Sequence, residues 1–132
     1  MPYAVLAVLL LQSAVGLAML LGLRRQRRIN ATALVHAVLA DAALALWIAF
    51  VVVEDAWIAW ASFAVVLLGN VFGDLLLIAH WRGRTGQKTS FGKDYNASIS
   101  SVLRGQHPKV PTAHAAGAGI VTVLMLIAAI LA

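Results

Sequence analysis

The stretch YAVLAVLLLQSAVGLAMLLGL (Tyr3–Leu23) runs without a charge into RRQRR (Arg24–Arg28). About 20 mostly apolar residues in a helix suffice to cross the hydrocarbon core of a bilayer. In a cleaved signal sequence the basic residues come first, whereas here they follow the apolar run as a stop-transfer flank. The segment is therefore expected to be a retained span. Three further runs have the same character: residues 31–53, 56–79 and 112–132. Backbone amides cannot stay unpaired in lipid, so each run is expected as a helix. The fold class that follows is all-α, a four-transmembrane-helix bundle in a single membrane domain covering residues 1–132, with basic loops at 24–30 and 80–111.

Composition agrees. Of 132 residues, 62% are hydrophobic and 11% charged, against about 45–50% and roughly 25% in soluble domains. The chain has no cysteine, which removes thiolate chemistry, iron–sulfur clusters and c-type haem attachment. Ten Lys+Arg against five Asp+Glu leave a formal charge of +5. These bases sit beside apolar segments, so lipid headgroups explain them and nucleic acid does not.

Their distribution sets the topology. Arg24, Arg25, Arg27 and Arg28 follow the first span, and Arg82, Arg84, Lys88, Lys93, Arg104 and Lys109 lie between the third and fourth. The turn between the second and third spans carries only Glu54 and Asp55. By the positive-inside rule all ten bases face the cytoplasm of a bacterial-type inner membrane, with both termini outside. Arg24, Arg25, Arg27 and Arg28 are also the expected contacts for anionic headgroups. Trp57, Trp60, Trp81 and Tyr3 fall at interfacial levels, where such rings settle.

Within the long basic loop, Arg82–Gln87 reads as irregular and Gly-rich. Asp94–Arg104 reads as a short interfacial helix capped by Asp94, with Tyr95, Ile99, Val102 and Leu103 as its apolar stripe and Gly105 as its end. Asn96-Ala97-Ser98 matches a glycosylation sequon, but on the cytoplasmic side it has no use. His107, beside Pro108, reads as a solvated loop residue or a headgroup contact.

Ionisable groups inside the membrane are costly and mark function. His36, Asp41, Asn70, Asp74, His80 and His114 form that set. In the third span Ser62, Gly69, Asn70, Gly73, Asp74 and His80 share an arc of roughly 140°. Gly69 and Gly73 make a GxxxG packing motif on the same face, and Gly117 with its small neighbours extends such packing to the last span. Asp41 and Asn70 lie near mid-membrane and are expected to pair. His36, Asp74 and His114 reach the basic-side leaflet from three helices. Thr32…His36-Ala37 and Thr112…His114-Ala115 hint at a parallel repeat of two hairpins.

Four chemistries suit the histidines. They are interhelical hydrogen bonding; axial ligation of a haem b by His36 and His114; a metal site from His36, His80, His114 and Asp74; and a proton or ion path through Asp74 and Asp41. A compact four-helix membrane bundle with inward histidines is similar in plan to the haem-carrying anchor subunits of respiratory complexes, without a shared motif. No P-loop, GxGxxG, GxSxG or HExxH is present, which argues against a self-sufficient enzyme. The expected role is an accessory or anchor subunit of a larger membrane complex, associating with other subunits or with itself. The alternatives are a small homo-oligomeric transporter or channel, and a cofactor-free structural or assembly factor.

Overall fold

The computed structural model describes residues 1–132. It consists of five helices: α1 (Pro2–Arg25), α2 (Ala31–Val53), α3 (Ala56–Thr85), α4 (Phe91–Leu103) and α5 (Lys109–Ile130). All but α4 are long and apolar enough to span a membrane. The connections follow from local chemistry. Asn30 caps α2 by accepting from the Ala33 amide at 2.8 Å, an N-cap role that suits its short carbonyl side chain. Glu54 takes the left-handed conformation at φ 60°, and Asp55 caps α3 through the Trp57 amide, so two residues reverse the chain.

The four long helices close a ring in the order α1, α2, α3, α5, with α4 laid against α3. The short turn at Glu54-Asp55 therefore marks an acidic end, and both basic loops lie at the other. The apolar core fills only the acidic half. Val5 and Leu9 of α1, Ala43, Trp47 and Phe50 of α2, Ala59 and Val66 of α3, and Val121, Met125, Ala128 and Ala129 of α5 form one buried cluster. Trp47 also donates its indole N–H to the Pro2 carbonyl at 3.1 Å, which satisfies the one polar atom of its side chain.

The ring is internally repeated. One constant shift in numbering carries Val5, Leu9, Gln12 and Gly16 of α1 onto Ser62, Val66, Gly69 and Gly73 of α3. Another carries His36, Leu39, Ala43, Trp47 and Phe50 of α2 onto His114, Gly117, Val121, Met125 and Ala128 of α5. Five pairs of buried core positions obey the shifts: Val5 with Ser62, Leu9 with Val66, Ala43 with Val121, Trp47 with Met125 and Phe50 with Ala128. So do the close contacts: Gly73 lies against His36 and Gly16 against His114, while Gly69 meets Leu39 and Gly117 meets Gln12. Two α-hairpins thus pack about a pseudo-twofold axis, in the parallel sense that the paired Thr/His segments hint at.

Three expectations for the basic loop are corrected. Arg82–Thr85 is helical, because α3 continues until Gly86 stops it in the left-handed conformation at φ 68°, which glycine adopts at no steric cost. The short helix starts at Phe91 rather than Asp94. Its buried residues are Asp94, Ser98 and Ser101, so its polar face turns inward while Leu103 is 82% exposed. The fourth span begins at Lys109, which places Pro111 in the first turn, where a missing amide costs nothing.

Candidate functional site

Toward the basic end the apolar core gives way to polar side chains between glycines. His36 of α2 and His114 of α5 come from diagonal helices and meet on the bundle axis, with ring centroids 6.1 Å apart and planes nearly perpendicular. His36 Nδ1 lies 2.9 Å from the Gly69 carbonyl oxygen. A carbonyl only accepts, so Nδ1 carries the proton of this bond, and in the neutral ring Nε2 then keeps its lone pair.

The GxxxG pair makes this approach possible. A Cβ built on Gly73 would stand 3.1 Å from His36 Cε1, and one on Gly16 would stand 3.4 Å from His114 Cε1. A methyl on Gly117 would overlap the Gln12 amide. His114 Nδ1, Gln12 Oε1 and Thr112 Oγ1 are buried without a hydrogen-bond partner.

Asp74 sits one residue beyond Gly73, the glycine against which His36 packs. The Tyr95 hydroxyl of α4 faces the Asp74 carboxyl, whose charge, together with burial, pushes the phenol above its ordinary pKa. Tyr95, Asp74, His36 and His114 therefore follow one another from the α4 side of the bundle to its axis.

Two expected groupings do not form. Asn70 does not pair with Asp41; its amide donates to Thr122 Oγ1 of α5 at 2.9 Å, and Thr122 in turn donates to the Ala118 carbonyl. Asp41 is exposed, outside the arc of α2 that carries Ala43, Trp47 and Phe50 inward. The metal set of His36, His80, His114 and Asp74 does not assemble, and no group of three or more His, Asp or Glu takes a metal-holding arrangement. His80 stands instead beside His107, with centroids 5.2 Å apart. α3 passes through a further turn and a half between Asp74 and His80, so one helix cannot bring both to the same ion.

His107 is also corrected. It is only 7% exposed, and its Nε2 lies 2.6 Å from Ser101 Oγ. Burial, with the nearby His80 and Arg84 charges, holds its pKa below the ordinary histidine value. Next to it, Asp94 ties α4 to α3. Arg82 Nε donates to its carboxylate at 2.7 Å, and the Thr89 hydroxyl and amide donate to the same group. The Thr89 hydroxyl above all, with Arg82 in support, holds the Asp94 carboxyl below its usual range.

The sequence reading missed Tyr95 as the neighbour of Asp74, Gln12 as the neighbour of Gly117, and Thr122 as the partner of Asn70. Gln12 and Gly16 stand one turn apart on α1, as Gly69 and Gly73 do on α3. A search for the repeat on the first and third spans would have found them. Arg24, Arg25, Arg27 and Arg28, the expected headgroup contacts, are all exposed at the basic end.

No family model matches the chain, and no curated protein or solved structure matches it either.

Proposed function

We propose that this four-span membrane protein is an accessory or anchor subunit of a larger membrane assembly, oriented with its basic end in the cytoplasm. The observation that carries the reading is the outward position of Asp41. It lies ten residues into α2, about 15 Å along the helix from its basic end, and it has no hydrogen-bond or ion-pair partner within the chain. With Leu34, Val38, Ala45, Ile48 and Val52 it forms an exposed stripe at alternating spacings of four and three. That spacing is the seam of a left-handed helix pair. A carboxyl at this depth is costly against lipid and is ordinarily turned to a partner. A neighbouring transmembrane helix supplies one.

The test is native mass spectrometry of the protein extracted from its own membrane, with Asp41→Leu in parallel. A stable larger species that Asp41→Leu dissolves supports the reading. A monomer for both forms, in membranes as well as after extraction, sinks it.

A second reading gives His36 and His114 to a haem b as axial ligands. It is favoured by the anchored Nδ1 of His36, the arrangement that leaves Nε2 free for a metal. A bound haem would supply one-electron transfer. An absorption spectrum decides it: a Soret band lost in His36→Ala supports ligation, and its absence after haem reconstitution removes the reading. A transport role draws less support, because the closed apolar half gives a single bundle no path to the acidic end.

A further inference from the structure

We propose that the basic half of the bundle is a water-filled vestibule, open at the basic end and closed toward the acidic turn, which delivers protons to the His36–His114 pair. Three independent features carry this. The first is the set of orphaned polar atoms: Gln12 Oε1, near the middle of α1, and Thr112 Oγ1 and His114 Nδ1, in the first two turns of α5, are all buried and unpartnered. Buried polar groups in folded proteins are satisfied by protein or by ordered water, and a site needs two to four polar partners to hold one. Gln12, His114 and the free Nε2 of His36 supply such partners around the axis.

The second feature is the division of the core. Trp47 and Met125 are fully buried on the acidic side, the side chains around them are apolar, and the one buried hydroxyl there, Ser62, is bound to the Ala43 carbonyl. Water that enters from the basic end therefore stops there. The third is the order of titratable groups along the path. Asp74 from α3 and Tyr95 from α4 stand before the histidines, α2 and α5 contribute the histidines themselves, and α1 presents only Gln12 and Gly16.

In the proposed step, a hydronium ion gives its proton to His36 Nε2 and leaves as water. The Nδ1–H remains on the Gly69 carbonyl, and the imidazolium so formed is stabilised by the Asp74 carboxylate.

The natural chain has no cysteine, so single-cysteine variants each report one position. Gln26→Cys marks the basic end and Glu54→Cys the acidic turn. With a charged, membrane-impermeant methanethiosulfonate, Gln12→Cys and Thr112→Cys are expected to react with the sidedness of Gln26→Cys, at least tenfold faster than Val66→Cys. Reaction with the sidedness of Glu54→Cys, or no reaction before denaturation, overturns the proposal. In the unaltered protein in lipid, magnetisation transfer from water to the ring nitrogens of His36 and His114 should build up severalfold faster than to the Trp47 indole. Histidine nitrogens as slow as Trp47 overturn the proposal whatever the cysteines report.

Discussion

Replacing Asp41 by leucine separates the stability of the bundle from its capacity to associate. Asp41 touches nothing that the fold needs: it is exposed, it sits outside the arc of α2 that enters the core, and the chain's one ion pair joins Arg82 to Asp94 instead. Surface substitutions away from special features usually change folding free energy within about 0.5 kcal/mol. Insertion into the membrane responds differently. An aspartate at the centre of a spanning helix costs about 2.5–3.5 kcal/mol on the insertion scale, whereas a leucine contributes about −0.3 to −0.6. The substitution should favour insertion of an isolated α2 segment (Ala31–Val53) by about 3–4 kcal/mol, a factor of roughly 100 to 1,000 at 1.4 kcal/mol per decade. Glycosylation mapping of that segment in microsomes measures the insertion gain. Reversible unfolding of the purified monomer in micelles measures the bundle. The expected result is a large insertion gain, an unchanged bundle and lost association. A bundle weakened by more than about 1 kcal/mol would mean that Asp41 has a partner inside the monomer, and the reasoning for an external one would fail.

Three other outcomes follow from the same geometry. The Asn70–Thr122 hydrogen bond crosses from α3 to α5 at 2.9 Å, and a double-mutant cycle of Asn70→Leu with Thr122→Val should return a coupling of about 0.6–1.7 kcal/mol, the range for polar contacts between membrane helices. Gly73→Val should displace His36, whose Cε1 would already stand 3.1 Å from a new Cβ, and cost about 1–3 kcal/mol by overpacking; Gly119→Ala, with nothing near its built Cβ, is the neutral control in the same thermal assay. Acidification should loosen α4, because His107 and Asp94 both bind protons less readily in the folded chain than in the unfolded one. Stability then rises with pH: the His107 contribution is complete above about 6.5 and lost as pH falls through its lowered pKa, and the Asp94 contribution follows below the usual carboxylate range. Limited proteolysis between Gln87 and Pro108 across that range reads the effect, and His107→Gln should remove its upper part.

The spans were legible because hydropathy over about 20 residues is a strong signal and backbone hydrogen bonding in lipid leaves no alternative to helix. All four appear within a few residues of their expected limits, and the largest discrepancy has a local cause. At Arg82–Thr85 the glycine and the charges suggest a loop, but a helix leaving the membrane needs only a left-handed residue to stop it, and the first well-placed one is Gly86. The polar contacts are less legible, because the depth of a residue along its helix does not fix which neighbouring helix it faces. Asp41 and Asn70 share a level, yet their azimuths differ: Asn70 turns toward α5 and Asp41 away from the bundle. His107 shows a related limit. Its exposure depends on how α4 folds back onto α3, which the Asp94 bonds to Arg82 and Thr89 determine and no periodicity reveals.

The internal repeat sharpens which residues carry function, because packing demands should be shared by both hairpins and special chemistry need not be. The shared positions are the core and the glycine contacts: Trp47 with Met125, Leu9 with Val66, Gly16 with Gly73, and the two histidines themselves. The unshared ones are the acids. The shift that carries His36 onto His114 carries Asp41 onto Gly119, and the shift that carries Gly16 onto Gly73 carries Leu17 onto Asp74. A bundle built on this plan folds without either acid, since the matching positions in the other hairpin are glycine and leucine. Each acid therefore adds a cost in the membrane that the fold does not require. Asp74 spends it beside His36 and Tyr95, at the inner end of the polar half. Asp41 spends it on the outer surface, where the proposed neighbouring helix would answer it.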